Sequence, residues 1–386
     1  MPRPGDCAFI PSGYPYQLLG SAKRNTQSLL GGTLNKKITF MAILASTALL
    51  VSGCSSSSES ASAKACLALD TGGVDDKSFN ASAWAGAQAA AEENSDIEVK
   101  YLAAATDADY APNIKKLVDE GCTTIIGVGF LINGAIIEGA KANPDVKFAI
   151  VDQDGEDHGP DGSVYPGTKF DNLKPIQFST NESAFQAGYL SAGVSKTGTV
   201  ATYGGLNIPP VTIFMDGFAR GVAHYNKVKG KSVKVLGWDT AKKDGTFVGG
   251  FSDSAKALQI SKNFEQQGAD IIFPVAGGLG GATAGNSIAS KKSYVIWVDT
   301  DGYVAAPQYK EVLLSSVVKG VDTSVKEVIL EAAAGTFTAT GYQGNLENGG
   351  TYLAPFHDLA GMVSDELSNE LEALGDAIKS GEVAVQ

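Results

Sequence analysis

The segment after the first predicted strand combines a carboxylate, an aromatic ring and an amide, groups that could bind a small polar molecule. It runs from Asp70 through two adjacent glycines, which allow a sharp backbone turn, to Phe79 and Asn80. Ser78 is a suitable N-cap for a following helix, which would present Phe79 and Asn80 in its first turn. A capped loop with Phe79 in the hydrophobic core would fit the same segment, so the segment alone leaves both interpretations open.

Two further loops carry groups found in metal or phosphate sites. The acidic loop that starts at Asp152 also holds Asp154 and Asp157, but it lacks the spacing and the terminal glutamate of an EF-hand calcium site. We therefore predict a solvent-exposed lip and no metal site. The glycine-rich run at 277–281 follows a predicted strand without dinucleotide or P-loop spacing. It predicts close approach of the backbone to a neutral ligand.

The residues give little support for catalysis. The three histidines, His158, His224 and His357, are scattered, and no serine or cysteine lies in a nucleophile-elbow sequence. A glycosidase-like pair of acids could be drawn from Asp70 and Asp299, which makes a surface nucleosidase the enzymatic alternative. We predict that residues 75–77, two acids and a lysine, form a solvated loop, and that the protein is not an enzyme and has no cofactor.

Apolar strand-like runs alternate with helical stretches, which predicts two lobes with doubly wound parallel sheets. The runs lie at 65–69, 97–102, 123–128, 147–151, 198–203, 232–236, 271–275 and 294–298, and are nearly continuously apolar, as in strands covered on both faces. Turn residues between Asp152 and Asn181 indicate a crossing between lobes, and a second crossing fits after Val298. Because open α/β sheets bind ligands at the carboxyl ends of their strands, the loops described above should face a cleft.

The charge of the chain excludes a nucleic-acid-binding surface. The 386 residues contain 30 Lys+Arg and 42 Asp+Glu, giving a formal net charge of −12. Residues 1–53 hold five basic residues and one acid, so without this excess of four positive charges the remainder carries −16. Such a surface is repelled by phosphate backbones and by anionic lipid headgroups. Membrane association would therefore need something other than a basic patch.

Residues 36–54 have the features of an export signal. Two lysines precede an apolar run that is too short for a spanning helix of about 20 residues, and small residues precede Cys54. The sequence Val-Ser-Gly-Cys at 51–54 resembles the bacterial lipobox, which implies that Cys54 is acylated and becomes the first mature residue. A plain secretory signal with a chance cysteine is the alternative. Two or more acyl chains would make a stable membrane anchor.

The N-terminal features also fix the predicted domain organisation. Residues 1–33 fit no part of a signal peptide, which indicates a start codon assigned too far upstream. We assign 1–53 to this leader and the signal peptide, 54–64 to a serine-rich tether, 65–179 and 298–325 to an N-terminal lobe, and 180–297 and 326–386 to a C-terminal lobe.

Cys66 and Cys122 are the two cysteines that would remain in the mature fold. Both lie at the start of a predicted strand. If those strands are neighbours, an exported protein could form one disulfide between them. Two buried free thiols fit the sequence equally well.

Several sequence blocks, in order along the chain, resemble the basic membrane protein family. These are substrate-binding lipoproteins of bacterial ABC transporters, and they include the purine nucleoside receptor. The resemblance begins with Asp-Thr-Gly-Gly-Val-Asp-Asp-Lys-Ser-Phe-Asn at 70–80 and continues through 181–193, 203–218, 250–256, 268–278, 298–301 and 315–322. It implies a type I periplasmic-binding-protein fold, in which two lobes joined by a hinge close over the ligand.

The resemblance also implies roles for eight residues. In the family's nucleoside receptors two rings sandwich the base, an Asn and an Asp read its edge, and carboxylates with a Lys hold the ribose. At matching positions the rings are Phe79 and Phe251, the base readers are Asn80 and Asp152, and the ribose is held by Asp70, Asp299 and Lys319 beside the Gly277 backbone. Phe247, Asp154 and Asp301 are the alternatives for the second ring, the reading acid and the ribose acid.

The sequence therefore predicts a lipid-anchored solute-binding component of an ABC importer on the outer face of the cell membrane. Its expected ligands are purine nucleosides of the inosine, guanosine or adenosine type, and its expected partners are the ABC permease subunits and no nucleic acid. We expect a monomer. Nucleotides should be rejected, because Asp70 and Asp299 would repel a phosphate and only Lys319 could compensate. A surface receptor or adhesin not coupled to transport is a further alternative.

Overall fold

Two largely parallel β-sheets frame the part of the chain that the structure, a computed structural model, describes: residues 63–157 and 169–385. In spatial order the first sheet contains β13 (Tyr342–Gly344), β5 (Leu173–Phe178), β4 (Lys147–Val151), β3 (Thr124–Val128), β1 (Ala63–Leu69) and β2 (Ile97–Ala103). The second contains β14 (Thr351–Leu353), β12 (Leu313–Lys319), β11 (Tyr294–Asp299), β10 (Ile271–Val275), β6 (Thr199–Gly204) and β7 (Lys234–Leu236). Paired strands in these sheets are parallel except β14, which is antiparallel to β12.

Helices alternate with these strands, and a short ribbon joins β8 (Trp238–Asp239) to β9 (Asp244–Gly245). The helices are α1 (Phe79–Glu93), α2 (Tyr110–Asp119), α3 (Asn133–Ala142), α4 (Thr180–Val194), α5 (Pro209–Lys229), α6 (Ser254–Gln266), α7 (Gly280–Ser290), α8 (Gly302–Ala305), α9 (Val321–Ala333) and α10 (Asp365–Lys379). Alternate residues of β1 belong to different apolar cores, Leu67 and Leu69 to one and Cys66 and Ala68 to the other. Both faces of the sheet are therefore covered, which explains the continuous apolar runs in the sequence.

Each predicted strand coincides with an observed one to within two residues, but β5, β8, β9, β12, β13 and β14 were not predicted as strands, and β5 and β12 are the longest of these. In β5, Lys174 and Gln177 interrupt the apolar run, and in β12 the pair Ser315 and Ser316 does so. Lys174 is nevertheless buried and forms an ion pair with Glu331 of α9 at 2.5 Å. Tertiary contacts that a local pattern cannot reveal therefore stabilise these strands.

The chain passes between the two sheets three times, after β5, after β12 and after β13. The predicted boundaries differ from this arrangement beyond Val298. Residues 298–319 were expected in the N-terminal lobe, but β11 extends to Asp299 and β12 pairs with it in the second sheet. Conversely, α9 and β13 were expected partly or wholly in the C-terminal lobe. Val325 and Val328 of α9 instead pack in the core that contains β1, and β13 pairs with β5.

Several sequence-based predictions concern segments outside the described residues. These include the leader, the signal peptide, the lipidation site Cys54 and most of the tether, whose last two residues, Ala63 and Lys64, already belong to β1. The second half of the acidic loop, 158–168, is also outside them. No helix within 63–157 and 169–385 is long and apolar enough to cross a lipid bilayer.

Cys66 and Cys122 form a disulfide between neighbouring parts of the first sheet, with a Cα–Cα distance of 6.0 Å and a sequence separation of 56. Closing a loop of this length restricts the unfolded chain, so removing the bond should lower the free energy of unfolding by about 2–4 kcal/mol. Denaturant unfolding with and without a reductant measures this loss. A Cys66→Ala/Cys122→Ala variant serves as the control, because reductant should leave it unchanged. Equal stability of the oxidised and reduced wild-type protein would contradict the prediction.

Candidate functional site

A cavity of about 650 Å³, including its opening to solvent, lies where the carboxyl ends of strands from both sheets meet. Asp70 follows β1 and Asp152 follows β4 in the first lobe, while Asp299 ends β11 and Lys319 ends β12 in the second. The cavity is lined by all eight residues predicted to bind ligand: Asp70, Phe79, Asn80, Asp152, Phe251, Gly277, Asp299 and Lys319.

Phe79 and Phe251, the two rings predicted to bind ligand, line the cavity from opposite lobes. Phe79, the first residue of α1, packs against the core of the first lobe, and Phe251 packs against that of the second. Both rings are partly exposed. The alternative second ring, Phe247, lies outside this cavity and contacts the Trp238 ring edge-on at 6.4 Å. A flat ligand could therefore contact Phe79 and Phe251 at once, one from each lobe.

The start of α1 is held by Asp76 rather than by Ser78. Oδ1 of Asp76 accepts hydrogen bonds from the backbone N–H groups of Ser78 and Ala81, both at 3.0 Å, and Oδ2 accepts from that of Asn80 at 2.9 Å. Ser78 occupies the N-cap position, but its side chain makes no capping bond. The predicted solvated loop is thus partly wrong, because Asp76 lines the cavity and burial raises its pKa, whereas Asp75 and Lys77 are exposed.

Lys319 forms a buried ion pair across the two lobes. Its Nζ atom lies 2.6 Å from Oδ2 of Asp152, and the two side chains are 3% and 8% exposed. The ammonium also lies 4.8 Å from the ring centroid of Phe79, 5.5 Å from that of Phe214 and 5.6 Å from that of Phe178. Burial raises the pKa of Asp152, and the lysine charge opposes this effect. The predicted ribose-holding lysine therefore contacts a predicted base-reading acid.

Asp299 is a second buried acid near the same lysine. Its Oδ2 accepts a hydrogen bond of 2.7 Å from the Ser78 hydroxyl, which also donates to the carbonyl of Val298 at 3.2 Å. Burial raises the pKa of Asp299 to about 6, against the opposing effects of Lys319 and Ser78. The carboxylates of Asp152 and Asp76 raise this pKa further. This site therefore concentrates negative charge that one ammonium does not balance.

Asp70 is fixed at the carboxyl end of β1. Its Oδ1 accepts hydrogen bonds from the Tyr110 hydroxyl and, at 2.6 Å, from the backbone N–H of Thr71. Burial raises the pKa of Asp70, although both of these hydrogen bonds oppose that effect. Gly129, with φ at +126°, allows close approach, because a Cβ atom there would lie 2.3 Å from Oδ2 of Asp70. The carboxylate orientation is thereby restricted.

Asn80 offers a buried acceptor without a partner. The residue is 2% exposed, lines the cavity, and its Oδ1 atom has no hydrogen-bond partner among the described residues. Leaving a buried polar atom unpaired costs about 1–3 kcal/mol. A ligand N–H or O–H group in the cavity would remove this cost.

Hydrogen bonds also cross the cleft outside the cavity. The backbone carbonyl of Lys77 accepts from the Trp297 indole N–H at 3.3 Å and from the Thr300 hydroxyl at 3.1 Å. With the bond from Ser78 to Asp299, they join the loop before α1 to the end of β11. Lys77 and Asp299 both adopt left-handed backbone conformations, with φ of +55° and +67°.

The two alternative acids lie elsewhere. Asp301 caps α8 by accepting from the Tyr303 N–H, and its other oxygen is 2.7 Å from Nε2 of His357. Asp154 accepts from the Glu156 N–H at 3.0 Å and lines a neighbouring cavity that also contacts Asp152. Neither alternative lines the cavity that holds the eight predicted residues.

Residues 63–386 match the family described as "ABC transporter substrate-binding protein PnrA-like". The chain belongs to this family. A PnrA-like protein is the substrate-binding component of an ABC transporter, which implies a small-molecule ligand and permease partners.

Curated relatives agree with this assignment. A Lactococcus lactis protein named "ABC transporter nucleoside-binding protein BmpA" is 32% identical over 342 residues, covering 82% of this chain and 90% of the relative. "Basic membrane protein D" of Borreliella burgdorferi is 29% identical over 355 residues, covering 90% and 92%. A Pyrococcus abyssi protein named as an uncharacterized lipoprotein is 27% identical over 302 residues, covering 75% and 69%. The predicted resemblance to the basic membrane protein family is confirmed.

Solved structures confirm the predicted fold class of this PnrA-like chain. An ABC transporter solute-binding protein from Aeropyrum pernix has a TM-score of 0.71 at 23% identity, covering 83% of this chain and 92% of that one. A periplasmic solute-binding protein from Actinobacillus succinogenes, solved with D-allose, has a TM-score of 0.57 at 14% identity, covering 78% and 99%. At these identities the likeness concerns the fold alone.

Sequence reasoning missed several residues of the PnrA-like site. Phe130 follows β3 and lines the cavity, so the same rule of carboxyl strand ends would have identified it. Phe214 of α5 lies both at the cavity and in the hydrophobic core of the second lobe, so its apolar character is equally consistent with a core residue. Asp76 was hidden by its charged neighbours. No local signal separates such a residue from a solvated loop.

The raised pKa of Asp299 predicts a pH-dependent stability. Between its ordinary value of 3.8 and about 6 the folded state binds the proton more tightly than the unfolded state, so this group lowers stability as pH rises through that window. Asp299→Asn should therefore be more stable than wild type by about 1–3 kcal/mol at pH 8, and nearly equal at pH 4. Denaturant unfolding across this pH range measures the difference. Neutralising the exposed Asp75 by Asp75→Asn should not reproduce the gain, and no gain at pH 8 would refute the prediction.

Proposed function

We propose that this protein is the extracytoplasmic, lipid-anchored solute-binding component of an ABC importer, and that it binds purine nucleosides between its two lobes. The observation that carries the proposal is the pairing of two aromatic rings, Phe79 and Phe251, across one cavity lined by buried acids. A flat heterocycle stacks between aromatic rings, with about 1–3 kcal/mol gained per contact. Buried carboxylates accept hydrogen bonds from a sugar diol.

The polar groups suit a neutral ligand with several donors. Asp70 and Asp299 can accept from the two ribose hydroxyls, and Oδ1 of Asn80 can accept from an N–H group of the base. The relative from Lactococcus lactis that is named as nucleoside-binding supports this choice of ligand. Stacking and charge-assisted hydrogen bonds together supply enough binding free energy for micromolar to nanomolar affinity, after the entropy lost on association is subtracted.

Nucleotides should not bind. Among the charged residues that line the cavity are four carboxylates, from Asp70, Asp76, Asp152 and Asp299, and the ammonium of Lys319. The ammonium is already paired with Asp152 at 2.6 Å. A phosphate group would therefore meet uncompensated negative charge in a buried site.

Native mass spectrometry of the unheated protein, followed by calorimetric titration with inosine, guanosine and inosine 5′-phosphate, tests the proposed ligand class. We expect one nucleoside per chain, and no heat from the phosphate ester. Absence of any nucleoside mass or heat would overturn the proposal. Incubation with inosine should release no free base by chromatography, whereas steady release would favour the nucleosidase alternative.

The anchoring part of the proposal depends on Cys54. In a bacterial host the wild-type chain should be recovered with the membrane fraction and incorporate labelled fatty acid. Cys54→Ser should lose the label and appear in the soluble exported fraction, because acylation requires the thiol. Ser56→Ala is a matched control that keeps Cys54, the lipobox and the disulfide, and it should stay with the membrane fraction. A wild-type chain that is recovered with the membrane fraction but carries no label would contradict a lipid anchor.

A further inference from the structure

Gly205 lies directly against Phe251, one of the two rings proposed to stack on the ligand. It follows β6 and is buried, and a Cβ atom added to it would lie 2.2 Å from Cε1, 2.5 Å from Cδ1 and 2.9 Å from Cζ of Phe251. Ordinary contacts of a Cβ atom begin near 3.4 Å. The edge of the Phe251 ring therefore lies so close to the Gly205 backbone that any residue with a Cβ atom at position 205 would clash with the ring in its present position.

Hydrogen bonds hold this backbone in place. The N–H of Gly205 donates to the carbonyl of Val275 in β10 at 2.9 Å, and its own carbonyl accepts from Gly249 at 2.8 Å and Gly250 at 3.1 Å. Gly249 and Gly250 directly precede Phe251. The same bonds therefore fix both the support and the chain that carries the ring, so a clash would displace the ring rather than the backbone.

A displacement of the Phe251 ring away from Gly205 would change the ligand space, because the ring lines the cavity. Phe251 lines the cavity, whereas Gly205 is buried behind it and does not. Restoring an ordinary contact from 2.2 Å to 3.4 Å would require a shift of about 1.2 Å. This is about a third of the usual spacing of roughly 3.5–4.0 Å between packed carbon atoms.

We propose that Gly205 is a specificity-determining positioning residue that sets the width of the slot between Phe251 and the first lobe, so that it admits a flat unsaturated ring. This inference rests on the proposed function for its ligand, but not for the position of the ring. Gly205 acts through Phe251 and does not itself contact the ligand.

A double-mutant cycle with inosine as the calorimetric probe tests the proposal. Gly205→Ala should weaken inosine binding at least tenfold. In a Phe251→Ala background the same substitution should change affinity less than twofold, because no ring remains to be displaced. Gly285→Ala is the matched control, since Gly285 lies in α7 with no atom within 4 Å of an added Cβ, and it should leave affinity unchanged. Unchanged affinity in Gly205→Ala, or an equal tenfold loss in both backgrounds, would overturn the proposal.

Crystal structures of the wild type and Gly205→Ala give a readout that does not require nucleoside binding. The Phe251 ring should move into the cavity by about 1 Å while the bond from Gly205 to Val275 is retained. A stationary ring with a displaced backbone would overturn the proposal, even if nucleosides bind. If nucleosides do not bind the wild type but the ring moves, the proposed function fails and the role of Gly205 stands.

Folding of the variants supplies the remaining check. Should Gly205→Ala not fold, Gly205→Ala/Phe251→Ala must fold for the proposal to stand, because alanine at position 251 has no atom beyond Cβ to clash with the new methyl group. Failure of both would show that the clash is with the backbone and would overturn it.

Discussion

Lys319→Met should lower the free energy of unfolding by about 3–5 kcal/mol at neutral pH, because it leaves the buried Asp152 carboxylate without its cation. Asp299 loses the same favourable charge, so two buried acids become uncompensated. The loss should shrink as pH falls, since protonation of these acids removes the buried charge. Denaturant unfolding at pH 5 and pH 8 measures both effects.

Two companion variants separate the ion pair from general effects of the substitution. Lys319→Met/Asp152→Asn should recover part of the stability, because neither charge then remains buried alone. Lys310→Met removes a lysine whose pair with Asp358 is 3.8 Å long and about half exposed, and it should change stability by less than about 1 kcal/mol. An effect of Lys319→Met no larger than that of Lys310→Met would contradict the expected role of the pair.

Phe79→Ala and Phe251→Ala should each weaken inosine binding at least tenfold. Loss of base stacking on an aromatic ring costs about 1–3 kcal/mol per contact, so the double variant should lose about 2–6 kcal/mol of binding free energy. Both rings are partly exposed at the cavity, so we expect the thermal midpoint of the ligand-free protein to change little compared with the loss of affinity. Calorimetric titration and thermal unfolding of each variant provide the two measurements.

Phe247 provides the control for these ring substitutions. It lies in the same lobe as Phe251 but packs against Trp238 and does not line the cavity. Phe247→Leu should therefore reduce stability without reducing inosine affinity. If Phe247→Leu weakened binding while Phe251→Ala did not, the assignment of the second ring would be reversed.

Three acids of this site are predictable from sequence because each follows a recognisable strand. Asp70, Asp152 and Asp299 lie at the ends of strands whose apolar runs are long and unbroken. A parallel sheet brings such ends to one edge whatever the order of its strands. Phe251 does not follow a predicted strand. Its role as a stacking ring was predicted only from the resemblance of the chain to a known family.

The pairings within the site were not predictable. The ion pair between Lys319 and Asp152 depends on how the two lobes meet. The sequences of β12, which ends at Lys319, and of β4, which precedes Asp152, do not contain this information. The position at which the chain crosses between the lobes for the second time, after β12, was also not predictable from local sequence. A polar pair, Ser315 and Ser316, masks β12, and the three-residue strand β13 exists only through its pairing with β5. Long-range contacts rather than local propensity decide these features.

The bonds from Trp297 and Thr300 to the Lys77 carbonyl form only while the lobes touch, whatever fills the space between them. If the closed conformation is the one that binds, the apparent affinity for any ligand is the intrinsic affinity of the closed conformation multiplied by the fraction of protein molecules in that conformation. Substitutions at these positions can therefore change the apparent affinity for a bound ligand without touching the cavity. The chemical identity of the captured molecule would be left unaltered.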